Sequence, residues 1–260
     1  MLPSTLKPIS CNKLLRVGAK QDGGYVISKK ILDNTDTILT FGLCDEFSFE
    51  KEFSEIKKDV SIYAFDHTVN KFFWFKHFFK WFWWAIRYRK SFGRAFTFFK
   101  YKNFFNKKNI SHLEKKIVPN RDIDHVSTSI NQIIKKYQIN PKKTLLKIDI
   151  DMDEYKILNE ILEEEFMGLI IEFSYVDKMM KEVIDFVKRN KEMSIIHTHG
   201  NNFDQPHKDG NPIHLEITFI NNNHLEIEEQ VLSDKDYPLE GLDYPNNVMK
   251  KDIQIKFLEN

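Results

Sequence analysis

Apolar residues along this chain come in short blocks that switch between a two-residue and a helical period. TILTFGL (37–43), VSIYAFD (60–66), TLLKIDI (144–150) and GLIIEFS (168–174) are short, rich in β-branched residues and bounded by polar ones, which predicts buried strands. Between them, EFSFEKEFSEIKK places Phe49, Phe53 and Ile56 on one side of a helix. A helix capped by Ser127 or Thr128 and running through Tyr137 turns Ile130, Ile133 and Ile134 inward. DEYKILNEILEEEF predicts a helix with Tyr155, Leu158 and Leu162 inside and Glu160, Glu163 and Glu164 outside, and VDKMMKEVIDFVKRN one that ends in basic residues. MSIIHTHG and IHLEITFIN are two last strands, separated by a polar loop with Pro206, Gly210 and Pro212.

Strands alternating with helices predict an α/β fold with an open, mostly parallel sheet covered on both faces. The closing strand pair has no helix between its members and brings in one antiparallel strand. At 260 residues, without a repeat or a long linker, the chain reads as a single domain over 1–260. The tail after about residue 225 is expected to be a mobile flap or an extra layer.

In such sheets ligands bind beyond the carboxyl ends of the strands. The polar chemistry of this chain lies there: Gly42 to Asp45, Asp66 and His67, Asp149 and Asp151, Glu172, then His197 and His199. Gly42 lets a cofactor or a sharp turn approach the backbone, although FGLCDEFSF lacks the second and third glycines of a pyrophosphate clamp. Asp66, 24 residues past Gly42, either accepts ribose hydroxyls or caps backbone N–H groups at a turn. Alternation through KIDIDMD puts Lys147, Asp149 and Asp151 on one side, where two carboxylates take a proton, hold a divalent cation or serve structure alone. Asp153 fits an N-cap, with Glu154 in the favourable first turn. His197 and His199 in HTHGNNF, followed by Asn201 and Asn202, offer a general base, a metal site with Asp149 and Asp151, or hydrogen-bonded structural histidines. In VGAKQDGGYVIS, the run Asp22, Gly23, Gly24 and Tyr25 is either a tight turn into a strand or a loop folded over a cofactor or acceptor.

Composition changes this picture in one place. The net charge is only +1, from 39 basic and 38 acidic residues. Yet residues 71–105 hold nine Lys or Arg, eighteen aromatics and no acid, and so form an aromatic and basic helical insertion. Burying all of it would desolvate many cations, so contact with an anionic membrane surface is the leading expectation. A lid or dimer patch and a platform for nucleic-acid bases are the alternatives, the nucleic acid being the least favoured. Two cysteines, Cys11 and Cys44, outside any CxxC pattern suggest a reducing compartment and no structural zinc. No signal-peptide order and no apolar run of membrane-spanning length is present, so the expected location is the cytoplasm, peripheral to the inner face of the membrane.

The segments RVGAKQDGGYVIS, FGLCDEFSFE, AFDHT, LLKIDIDMDEYKIL, IIEFS and HTHGNN with HLEITFI occur in order from residue 16 to about 221. Together they resemble the FkbM-type methyltransferases and their relatives with an N-terminal DGGYV signature. That resemblance implies a class I methyltransferase fold, Rossmann-like and doubly wound, of about seven strands with the last antiparallel. It also implies S-adenosylmethionine as cofactor and a sugar hydroxyl, of a glycan or lipid-linked glycan, as acceptor. Phe41, Gly42, Leu43 and Asp45 would then face the methionine part, and Asp66 and His67 the ribose. Asp149 and Asp151 would stand where cofactor and acceptor meet, with Asp149, Asp151, Glu172 or His199 receiving the acceptor's proton. Asp22 to Tyr25, His197, Asn201 and Asn202 would line the acceptor side. A non-catalytic scaffold of the same fold at a membrane, and a metal-dependent glycan hydrolase using Asp149, Asp151, His197 and His199, are the competing readings.

Overall fold

A computed structural model describes residues 1–89 and 91–259; Lys90 of the aromatic insertion and Asn260 lie outside the described residues. In chain order the strands and helices are β1 (Leu14–Val17), β2 (Tyr25–Ser28), α1 (Lys29–Asn34), β3 (Thr37–Phe41), α2 (Ser48–Ile56) and β4 (Ser61–Phe65). The insertion follows as α3 (Lys71–Tyr88) and α4 (Thr97–Phe105), then β5 (Ile110–Leu113), β6 (Lys116–Ile117), β7 (Ser127–Thr128) and α5 (Ile130–Tyr137). The chain continues with β8 (Thr144–Ile148), α6 (Glu154–Ile161), β9 (Gly168–Phe173), α7 (Val176–Arg189), β10 (Met193–Asn201) and β11 (His214–Asn221).

Seven strands form one sheet in the order β10-β11-β9-β8-β3-β4-β5. Pairs among β3, β4, β5, β8 and β9 are parallel, and β11 is antiparallel to both β9 and β10. Counted along the chain from β3, the order is third, second, first, fourth, fifth, seventh, sixth. It reverses between β3 and β8, where a doubly wound sheet opens its ligand crevice. This is the Rossmann-like class I methyltransferase sheet, with the antiparallel last strand that the resemblance implied. Leu39, Phe41, Leu146, Ile148, Leu169 and Ile171 fill one side of the sheet, and Ile38, Ile62, Leu145 and Ile170 the other. Continuous apolar runs are what a sheet covered on both faces requires.

Several local expectations fail for identifiable reasons. Ser129, not Ser127 or Thr128, caps α5, its Oγ accepting from the Gln132 N–H at 3.3 Å. Ser127 and Thr128 pair with β6 instead. Ile56, in the last turn of α2, is half exposed. β8 stops at Ile148, and Asp151 (φ 45°) and Met152 (φ 75°) turn left-handed, so the alternation that aligned Asp151 with Asp149 is broken and Asp151 is exposed. Asp153 stands at the N-cap of α6 but bonds no helix N–H; its carboxylate binds Lys116 at 2.8 Å and Lys156. Glu160 is buried, where it accepts from the Asn120 N–H, while Glu163 stays outside.

The tail forms an extra layer. Tyr237, Leu239, Ile253 and Ile255 are buried, and isolated bridges join Leu2 to Phe257 and Ile9 to Leu232. The β1–β2 hairpin packs on the face of the sheet that carries Ile38, Ile62 and Ile170, with Thr218 donating from β11 to the Val26 carbonyl at 2.8 Å.

Candidate active site

At the carboxyl ends of β3, β4 and β8 lies a cleft of about 410 Å³, large enough for a nucleoside-sized ligand. The turn after β3, the β4 end, β6 and the segment after β8 line it, and the hairpin residues Asp22, Gly23 and Tyr25 form its roof.

The β3 turn is held by backbone geometry. Gly42 has φ +84°, and a Cβ there would lie 1.7 Å from the Asp149 carbonyl oxygen, so glycine is needed for the close approach of two chain segments. Asp66 staples the same turn from below. Its Oδ2 accepts from the N–H groups of Leu43 (2.9 Å) and Cys44 (3.0 Å), and its Oδ1 from the Thr68 N–H (2.8 Å) and hydroxyl (2.6 Å). Burial alone would raise its pKa, but these four donors hold it below the usual carboxylate range. They also use the four lone-pair sites of a carboxylate, so a ribose diol would have to displace donors the chain already supplies.

Predicted cofactor residues divide accordingly. Gly42, Leu43, Asp66, His67 and Asp149 line the cleft. Phe41 is fully buried edge-on against Phe65 and does not face it. Asp45 points the other way, receiving His77 Nε2 at 2.9 Å and lying 3.6 Å from Arg94. Phe65, Ile117 and Ile150 supply apolar walls, and Lys115 and Lys116 bring positive charge to the rim. This set of a backbone turn, apolar walls and polar ends fits S-adenosylmethionine in size and chemistry, with Asp66 shaping the turn and not free to bind ribose.

Deeper, a row of charges crosses the sheet. His199 on β10 pairs in register with Glu216 on β11, Glu216 with Glu172 on β9, and Asp149 follows the β8 residue that pairs beside Glu172. Asp149 faces the cleft and accepts from the Tyr25 hydroxyl at 3.3 Å. Desolvation raises its pKa to about 6; Lys147 opposes the rise, and Asp22, Glu216 and Asp151 add to it. Burial and the charges of Asp149 and Glu216 keep the Glu172 carboxyl well above its ordinary value, although Asn201 Nδ2 donates to it at 3.2 Å. Tyr25 is shifted upward by burial and then by Asp149, and therefore stays a hydroxyl donor. Lys147, buried in β8, lies 3.4 Å from the buried Glu50 of α2 and 5.1 Å from the centre of the Tyr25 ring. Thr40 donates to the same Glu50 oxygen at 2.8 Å.

The two histidines take the hydrogen-bonded structural alternative. His197 binds Asp243 at 3.0 Å. His199 sits between Glu216 (3.1 Å) and Asp252 (3.1 Å), and although burial would lower its pKa, those two carboxylates push it up to about 10. An imidazolium with that pKa cannot act as a general base near neutrality. Asn202 fastens the tail, donating to the carbonyls of Asn247, Lys250 and Lys251 and accepting from the Asn247 N–H at 2.6 Å. Gly24 is a packing residue, since a Cβ there would meet the Ala19 carbonyl at 2.0 Å. Asp149, Asp151, His197 and His199 do not converge, and among the described residues no three His, Cys, Asp or Glu side chains are placed to hold a metal.

Sequence reasoning missed Glu50, Glu216, Asp243, Asn246 and Asp252. Lys147 inside an otherwise apolar strand was a signal for a buried acid such as Glu50. Asn246 closes the arrangement, donating to Glu216 at 2.6 Å and to Asp22 at 3.4 Å and so joining tail, sheet and hairpin.

No protein-family model and no curated protein matches the chain. Among solved structures it is similar to a fibrillarin/Nop5p complex, with 15% identity, a TM-score of 0.39 and 72% of this chain and 73% of that chain covered. It is also similar to a putative rRNA methylase from Clostridium thermocellum (10% identity, TM-score 0.41, 74% and 92% covered). A third is M. jannaschii TYW2 in complex with AdoMet (9% identity, TM-score 0.34, 74% and 73% covered). At such values they say nothing of chemistry, and the fold rests on strand order and register.

Proposed function

We propose that this protein is an S-adenosylmethionine-dependent methyltransferase that methylates a hydroxyl, in keeping with the FkbM-type resemblance of residues 16 to about 221. The observation that carries the reading is Asp149: a carboxylate at the switch point of the sheet, at the cleft surface, with its pKa raised to about 6 and a tyrosine hydroxyl against it. A general base works best with a pKa near the working pH.

S-adenosylmethionine supplies a sulfonium methyl carbon open to attack by oxygen. The chain's residues do the rest. The turn 42–44, fixed by Asp66 and Gly42, shapes the binding cleft, and Asp22, Tyr25 and Asp149 surround the acceptor. Asp149 would take the proton of the acceptor hydroxyl, and Tyr25 would steady the carboxylate for that transfer. A polyhydroxyl acceptor suits this lining, because Asp22, Asp149 and Asp151 offer hydrogen-bond acceptors at the cleft while Glu172 and Glu216 lie outside it; a sugar of a glycan or lipid-linked glycan has that character.

Calorimetric titration with S-adenosylmethionine and S-adenosylhomocysteine tests the first step, and transfer of a labelled methyl group to a panel of sugars tests the second. Micromolar binding by the wild type is expected. No binding of either ligand would remove the methyltransferase reading and favour a non-catalytic scaffold of this fold.

A further inference from the structure

Helix α3 has two apolar faces, and the fold uses one. Trp74, His77 and Ala85 are buried, with Phe78 and Trp81 half-buried beside them, at the 3–4-residue spacing of a packed helix. Trp74 packs on Phe98 and Tyr101 of α4, Tyr101 donates to or accepts from His112 Nδ1 at 2.6 Å, and His112 Nε2 meets the Asp66 carbonyl at 3.1 Å. His77 also binds Asp45 in the turn after β3. The helix is thus tied to the rim of the cleft.

On the other face, Phe72, Phe75, Phe79, Trp83 and Ile86 recur every three or four residues and are 44–63% exposed. Phe92, Phe96 and Phe99 extend the surface, through ring contacts of Phe82 with Phe92, Phe78 with Phe96 and Phe96 with Phe99. Lys76, Lys80 and Arg87 run along one side of this stripe, all exposed, and Lys76 lies 4.2 Å over the Phe72 ring. From residue 67 to residue 113 the sequence has no Asp or Glu. Among the described residues, no helix is long and apolar enough to cross a membrane.

We propose that this face docks on an anionic phospholipid bilayer, lying in the plane of the interface with its rings among the acyl chains and its cations on the headgroup phosphates. An aromatic stripe of about 21 Å, from Phe72 to Ile86 at about 1.5 Å per helical residue, beside the basic edge of Lys76, Lys80 and Arg87 matches a flat surface that is apolar within and negative outside. A second copy of this chain would bring the cations of the stripe against each other. Docking holds the adjoining cleft at the bilayer surface, where a lipid-linked acceptor would be presented. The docking itself stands without the methyl-transfer reading, and its measurement needs no methyl donor.

The test is flotation of the full chain with phosphatidylcholine vesicles, with and without phosphatidylglycerol, across a salt series. Two triple variants of exposed residues accompany it: Phe75→Ser, Phe79→Ser, Trp83→Ser, and Lys76→Glu, Lys80→Glu, Arg87→Glu, each checked for native circular dichroism. Expected are flotation with anionic vesicles only, loss of binding with salt, and a drop of about tenfold or more in each variant. Equal binding to neutral vesicles, no binding at all, or binding unchanged in both variants overturns the proposal. So does a dimer by light scattering that the aromatic variant alone dissolves, or a single-stranded oligonucleotide held more tightly than the vesicles.

Discussion

The row of charges across the sheet has two ends, and they differ in compensation. At the β10 end the buried groups are paired: His197 with Asp243 at 3.0 Å, and the His199 imidazolium with Glu216 and Asp252. The C-terminal layer covers them. At the β8 end Asp149 and Glu172 stand beside Asp22; the buried Lys147 near Asp149 is shared with Glu50, and His214 Nδ1 lies 3.9 Å from Glu172. Buried charge without a matched partner is costly to the fold, and such cost persists where chemistry uses it. Both ends look alike in sequence, as polar residues at strand ends; only their pairing across the fold tells them apart.

The largest effect expected is at Asp149. Asp149→Asn removes the proton acceptor and should lower methyl transfer by about 10²–10⁴-fold while leaving S-adenosylmethionine binding by calorimetry within about threefold. The same variant separates cost from use. An acid whose folded pKa is raised to about 6 contributes stability that is complete below its unfolded pKa and lost as pH rises through about 6. Asp149→Asn should therefore melt higher than wild type at pH 7.5 and gain little at pH 4. A variant that melts lower at pH 7.5 would place Asp149 among the compensated groups.

His199→Ala probes the other end. Removing the imidazolium leaves Glu216 and Asp252 buried without their cation, which costs roughly 3–5 kcal/mol. The linkage has the sign of a raised histidine. Its stabilisation is complete below pH 6.5 and disappears as pH rises through about 10, so the wild-type melting temperature should fall over that window and the variant's should not follow it. Normal stability with lost transfer would instead make His199 part of the chemistry.

Asp66→Asn comes next. The amide cannot accept from all four donors that now meet the carboxylate, so the turn 42–44 loosens. S-adenosylmethionine affinity should fall about tenfold, equivalent to about 1.4 kcal/mol. Leu43 and Cys44 amides should exchange faster in hydrogen-exchange measurements. Weakened binding with unchanged exchange at these amides would show that Asp66 meets the ligand directly.

Much of this was legible in the residues. Short apolar runs alternating with helical ones located six strands of the main sheet but not the edge strand β5, whose ISHL carries only two apolar residues, and the helix-free joint before HLEITFI marked the antiparallel strand. Strand-end polar residues located the cleft. What could not be read was pairing across long separations. Asp243 and Asp252 lie 46 and 53 residues from the histidines they bind, in a tail without periodicity. The alternation through KIDIDMD failed for a local reason, two left-handed residues after Ile148, which no hydrophobic pattern records.

Tyr25 offers the finest cut between the two ends. Its hydroxyl bond to Asp149 is long, at 3.3 Å, and worth about 0.5–1.5 kcal/mol to the ionised carboxylate. Tyr25→Phe keeps the ring that packs edge-on against Phe49 and lies beside Lys147, so the hairpin should fold as before. Without the donor, the ionised form of Asp149 loses support and its pKa climbs further. The rising limb of kcat/KM against pH should move upward from about 6 by up to about one unit, with the plateau changed little once Asp149 is ionised. A limb that stays in place while the plateau drops would mean that the hydroxyl holds the acceptor and leaves the base alone.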